Sequence, residues 1–120
     1  MKDTELVEMT RQIREFCDQR EWRQFHSAKD LAIGVSTEAN ELLELFRFKS
    51  ETDVETLLKE NRDAVGDELA DVFYYLLRFA DLNDFDLITE LKRKMTQNEK
   101  KYPVEKAKGK NLKYTAYNHD

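Results

Sequence analysis

Two segments of the sequence carry paired carboxylates at helical spacing: Glu38 with Glu41, and Glu68 with Asp71. Residues three apart in a helix are neighbours on one side, a turn from each other. Glu38 falls inside the apolar series Leu31, Val35, Leu42 and Leu45, at the place where that series calls for another leucine. Glu68 and Asp71 flank a second series, Val65, Leu69, Val72 and Leu76. A carboxylate turned toward an apolar interface is costly unless something pairs with it. Four of them converging from two helices call for a cation, and an all-oxygen donor set suits Mg²⁺, with Mn²⁺ the alternative. Acidic pairs also arise by chance on solvated faces when 25 of 120 residues are acidic. What separates this case is Glu38, which sits within the apolar stripe and not opposite it.

Other metal chemistries fit less well. A di-iron carboxylate bundle uses Glu-x-x-His ligands, but the residues three before His26 and His119 are Arg23 and Ala116. The missing imidazoles also argue against zinc. Isolated glycines at 34, 66 and 109 form no phosphate-cradling loop, and no Ser-His-Asp signature is present. Around the acidic pairs lie aromatic residues. Trp22 and His26 share a face at i, i+4 spacing, and Phe48 and Tyr75 lie close in sequence to the carboxylates. Each has an ordinary reading as a packing or surface residue; beside a metal, such a set suits stacking on a nucleobase. The lysines at 100, 101, 106, 108, 110 and 113 read either as a solvated tail or as a cover for a polyphosphate.

The elements that must position these residues are helices. The first is expected from Thr4 to Arg20, with Leu6, Met9, Ile13 and Phe16 at helical period and Asp3 or Thr4 as cap. A short aromatic connector follows, and a second helix begins near Ser27, spaced from Asp30 as in a capping box, and runs to Phe46 or Phe48. Thr52 with Glu55 opens a short third helix to Asn61, and the fourth covers Asp63 to Leu82 with Asp63 as N-cap. Asn83-Asp84 breaks the chain and is the expected cap of a fifth helix from Phe85 to Lys101, which Pro103 ends. Short connections favour antiparallel neighbours. The expected fold is all-α, an antiparallel bundle of four to five helices completed by oligomerisation, with a catalytic domain over 1–103 and a basic arm over 104–120.

Composition agrees. Charged residues make up 38% of the chain, with 3 glycines and 1 proline, which suits solvated helices and not a β-rich fold. A net charge of −5 disfavours nucleic-acid and anionic-membrane binding, yet leaves phosphate substrates open because a bound metal inverts the local field. A single cysteine, Cys17, allows no disulfide framework and reads as a packing thiol. No apolar run reaches the roughly 20 residues of a membrane span, and the first residues lack a signal-peptide core. The expected location is the cytosol.

With its motifs in order, the sequence resembles the MazG-like all-α nucleoside triphosphate pyrophosphohydrolases. Their pattern, Glu-Glu-x-x-Glu followed by Glu-x-x-Asp, reads here as Thr37-Glu38-Ala39-Asn40-Glu41 and Glu68-Leu69-Ala70-Asp71. Thr37 departs from the broad pattern and is similar to the dCTP pyrophosphatase branch, whose first position is also not acidic. Trp22-Arg23-Gln24-Phe25-His26 resembles that branch's Trp-x-x-Phe-His segment, Glu44-Leu45-Phe46-Arg47-Phe48-Lys49 its Glu-Leu-Phe-x-Trp-Lys stretch, and Lys101-Tyr102-Pro103 its terminal element. Phe48 replaces a tryptophan.

The resemblance implies hydrolysis of a (deoxy)nucleoside triphosphate, first of all dCTP, to the monophosphate and diphosphate. It implies Mg²⁺ held by Glu38, Glu41, Glu68 and Asp71, these four serving catalysis; a carboxylate that the metal leaves unsaturated can act as general base, Glu41 on the edge of the face being the first candidate and Glu38 the runner-up. It further implies substrate-binding by Trp22, His26, Phe48 and Tyr75 around the base and by Lys49, Lys101 and Tyr102, in a homotetramer or dimer. The alternative is a non-catalytic module that oligomerises or binds nucleotide without turnover.

Overall fold

A computed structural model describes residues 4–117. Asp3, the alternative cap of the first helix, and His119 lie outside them. The chain divides into two compact units, Met1–Phe85 and Asp86–Asp120. The described residues contain helices and turns and no strand, so the all-α expectation holds. The first unit contains α1 (Thr4–Gln19), a 3₁₀ turn (Arg23–Phe25), α2 (Ala28–Phe46), α3 (Glu51–Glu60) and α4 (Arg62–Leu82).

Side-chain caps set where the helices begin. Ser27 caps α2, its Oγ accepting from the Asp30 N–H at 3.1 Å and donating to the Asp30 carboxylate at 2.8 Å. At α3 the expected cap is displaced: Ser50, not Thr52, accepts from the Asp53 N–H, while the Asp53 carboxylate accepts from Ser50 N–H. Ser50 has the extended backbone that a cap requires, whereas Thr52 is already helical and its backbone carbonyl accepts from the Thr56 hydroxyl. Asp63 does not cap α4; Asn61 ends α3 and starts α4 at one residue, which leaves no loop between them.

α2 and α4 form the central pair. Gly34 lies against Tyr75 and Glu38 near Asp71, so numbers rise along α2 as they fall along α4 and the helices are antiparallel. Gly34 permits this approach. A Cβ at that position would lie 2.5 Å from Tyr75 Cδ1 and 2.8 Å from its Cζ, inside the ring's contact surface. The α2 stripe is positioned as expected, with Leu31 buried and Val35, Glu38, Leu42 and Leu45 partly covered. α1 joins α4 through a two-pronged pair in which Arg14 Nε and Nη2 donate to Asp81 at 2.9 and 2.6 Å. Beneath it, Cys17 is fully buried, with Sγ 3.2 Å from the Tyr74 hydroxyl.

The α4 expectation needs correction. Val65 is buried, but Leu69 and Leu76 are 53% and 39% exposed, and Phe73 between them is 47% exposed. These three form their own stripe at i, i+4, i+7, so α4 has two apolar faces, one of which the first unit covers.

In the second unit, α5 (Leu87–Lys101) starts two residues later than expected because Asp86, and not Asn83-Asp84, accepts from the Thr89 N–H at 3.1 Å. The basic segment that reads as loop or arm contains α6 (Val104–Ala107) and a 3₁₀ turn over Tyr114–Tyr117. Lys101 Nζ lies 4.9 Å from the centre of the Tyr114 ring, and Tyr102 meets that ring edge-on.

Candidate metal centre

α2 and α4 bring carboxylate oxygens of Glu38, Glu68 and Asp71 within 4.8 Å of one another. In an octahedral Mg²⁺ site with bonds near 2.1 Å, ligand oxygens lie about 3–4 Å apart, so the three are close to a ligating arrangement. Glu38 and Glu68 are partly buried, and Glu68 Oε2 is shut off from solvent with no hydrogen-bond partner among the described residues. A buried acceptor without a donor is costly, and a cation is the partner this donor set suits. Glu41, the fourth expected ligand, is exposed and stands outside the tight group, although its charge is felt at both Glu38 and Glu68.

The electrostatics record the crowding. Burial, followed by the charges of Asp71 and Glu41, raises the pKa of Glu38 above the ordinary 4.5. Burial also raises that of Glu68, followed by Asp71, Glu38, Glu41 and Asp67. Both groups therefore bind protons more readily in the folded chain than in the unfolded one, and their ionisation weakens the fold. In EDTA, the melting temperature is expected to rise as the pH falls from neutral through these raised values toward 4.5. Mg²⁺ at pH 7 should give a similar rise. A melting temperature indifferent to both would count against a shared, crowded site.

A cleft of about 350 Å³ opens beside the carboxylates. Glu38 and Asp71 line it together with rings that include Trp22, Phe25, His26 and Tyr75. The connector between α1 and α2 supplies three of these because its 3₁₀ turn holds Trp22 and His26 together, with their rings edge-on at 6.4 Å. Trp22 also packs edge-on against Phe16, 5.5 Å between centroids.

The structure thus gathers Trp22, His26, Tyr75, Glu38, Glu68 and Asp71 of the expected set. Phe48 is elsewhere: its ring is 94% exposed, its backbone is left-handed with φ of 63°, and the Arg47 guanidinium lies 4.6 Å above the ring. Lys49 is exposed just beyond α2, and Lys101 and Tyr102 belong to the second unit. Sequence reasoning missed Phe16 and Tyr74 in the cleft and Arg78 behind it. Arg78 did carry a signal, as a lone charge in the apolar run Leu76-Leu77-Arg78-Phe79-Ala80.

Residues 33–116 match the model of the MazG-like family. The chain is 36% identical over 112 residues to dCTP pyrophosphatase 1 of Mus musculus, an alignment covering 92% of this chain and 66% of the mouse protein. It is 34% identical over 116 residues to dCTP pyrophosphatase 1 of Homo sapiens, covering 95% of this chain and 68% of that one. The chain therefore spans slightly less than two thirds of the length of the mouse relative. Its fold is similar to the crystal structure of a pyrophosphatase from Archaeoglobus fulgidus, with a TM-score of 0.80 and 38% identity over 86% of this chain and 96% of that one.

Proposed function

The chain belongs to the MazG-like family, and from that premise we propose that it is a Mg²⁺-dependent nucleoside triphosphate pyrophosphohydrolase acting on dCTP-type deoxynucleotides. The observation that carries the reading is the Glu38–Glu68–Asp71 group, two of whose carboxylates line an aromatic cleft. The carboxylates suit the metal and phosphates, the rings a base. The relatives named as dCTP pyrophosphatases support the substrate class.

In the proposed reaction, water adds across the anhydride between the α- and β-phosphates, giving the monophosphate and diphosphate. Glu38, Glu68 and Asp71 hold the Mg²⁺, or Mn²⁺, which when bound neutralises phosphate charge and lowers the pKa of bound water. Glu41, outside the tight group and exposed, remains free to accept the water's proton. The rings of Trp22 and Tyr75 sandwich or edge the base. Phe48, Lys49, Lys101 and Tyr102 keep their proposed substrate-binding roles on their motifs alone. The open stripe of Leu69, Phe73 and Leu76 supports assembly into a homo-oligomer, a tetramer or a dimer. No helix among the described residues is long and apolar enough to cross a membrane. The proposed setting is the cytosolic nucleotide pool, with no nucleic-acid or membrane partner, and the proposed division is a catalytic part over 1–103 followed by a basic arm.

The test is incubation with each dNTP and NTP, with and without Mg²⁺, and chromatography of the products. Monophosphate plus diphosphate only with metal supports the reading; release of orthophosphate, or no turnover of any nucleotide, refutes it. Within the reading, Trp22→Ala is expected to raise KM for dCTP about tenfold or more, since base–aromatic stacking contributes about 1–3 kcal/mol. Steady-state kinetics showing an unchanged KM would remove Trp22 from the base site.

A further inference from the structure

Arg78 is 1% exposed, the largest fully buried side chain among the described residues. It lies two turns beyond Asp71 along α4. Its Nε donates to His26 Nδ1 at 3.0 Å, joining α4 to the connector. Nη1 and Nη2 are buried without a hydrogen-bond partner among the described residues. An uncompensated buried guanidinium is expensive, so its retention calls for a reason beyond packing.

The hydrogen bond supplies one. A guanidinium stays protonated, so Nε–H can only donate, and Nδ1 must present its lone pair. The imidazole then carries its single proton on Nε2. Burial and the charge of Arg78 lower the pKa of His26, opposed by Asp30, so the surrounding groups also favour a neutral ring. His26 lines the cleft beside Trp22. We infer that Arg78 is a positioning residue that locks His26 in its Nε2–H tautomer, leaving that N–H as an oriented donor for an acceptor on a pyrimidine edge, such as its 2-carbonyl. The tautomer is independent of catalysis; the base readout rests on the activity proposed above.

This arrangement distinguishes a fixed donor from an adaptable one. A histidine free to exchange tautomers can offer either a donor or an acceptor. One held by a permanent donor offers a donor alone, so an edge that presents an acceptor is favoured over one that presents an N–H.

The experiment uses ¹⁵N-histidine-labelled protein, with His119→Gln assigning the two histidines. Long-range ¹H–¹⁵N correlation on the wild type should show a protonated Nε2 and an unprotonated Nδ1 on His26. Arg78→Met, which fills the volume without a donor, should give a mixture of tautomers. It should also raise KM for dCTP about tenfold, the value of roughly one hydrogen bond, with kcat within about threefold. Arg78→Lys, which keeps a cationic donor, should retain more of the tautomer, and circular dichroism of both variants establishes that they fold. A proton on Nδ1 in the wild type overturns the inference, as does Arg78→Met with the tautomer and KM of the parent. If the wild type shows the expected tautomer but neither binds nor hydrolyses dCTP, the base readout falls together with the proposed activity, while the tautomer lock is supported.

Discussion

Glu38→Gln is expected to lower Mg²⁺-dependent dCTP hydrolysis by about 10³-fold while leaving the melting temperature in EDTA unchanged or higher. The two effects have one cause. Glu38 is held in a helix stripe among apolar residues, close to Asp71 and Glu68, and its raised pKa shows that the fold resists its charge. Glutamine keeps the shape and removes that charge, so the metal-free fold is relieved. The same substitution removes an anionic ligand, and about 4 kcal/mol of lost transition-state stabilisation corresponds to the stated factor. The rise in melting temperature produced by Mg²⁺ should shrink as well. Initial rates and thermal melts with and without Mg²⁺ measure all three. A rate within tenfold of the parent would show that Glu38 is a structural acid and favour the non-catalytic helical module.

Gly34→Val should destabilise the fold by about 2 kcal/mol. The added Cβ meets the edge of the Tyr75 ring at Cε1, Cδ1 and Cζ together, so the ring must leave its place between the helices. Overpacking of this kind costs about 1–3 kcal/mol, and the gain in helix propensity over glycine offsets less than 1 of it. Gly66 is the internal control. Nothing lies within 4 Å of a Cβ there, so Gly66→Ala should stabilise by about 0.5–1 kcal/mol. Urea denaturation of both variants decides the matter. If Gly34→Val is as stable as the parent, α2 and α4 do not meet as described. Because Tyr75 lines the cleft, Gly34→Val should also raise KM in whatever fraction remains folded.

How much of this was legible in the sequence depended on what each residue's signal measured. The α2 stripe was readable because its covered face is continuous and narrow, and Glu38 stood out as its one polar member. The α4 stripe was misread at Leu69 and Leu76 because that helix is apolar on two sides, and periodicity cannot say which side a single chain covers. The caps at Ser50 and Asp86 were missed in favour of Thr52 and Asn83-Asp84, since several capping residues stand within two or three positions of each other. Trp22, His26 and Tyr75 were found through spacing and family motif together. Glu41's place outside the tight group was not legible, because an i, i+3 pair fixes a side of a helix and not the reach of each side chain. Arg78 was overlooked although its charge interrupts an apolar run, as Glu38's does.

Phe48 shows a tension between a chain's thermodynamic preference and what its surface displays. A left-handed backbone favours glycine, and holding a bulky residue there costs about 1–3 kcal/mol, while a ring 94% exposed regains almost nothing from burial in the single chain. An aromatic ring set out on such a residue, with an arginine stacked on it, works against the isolated chain's stability, and a ligand or partner that covered the ring would recover that cost.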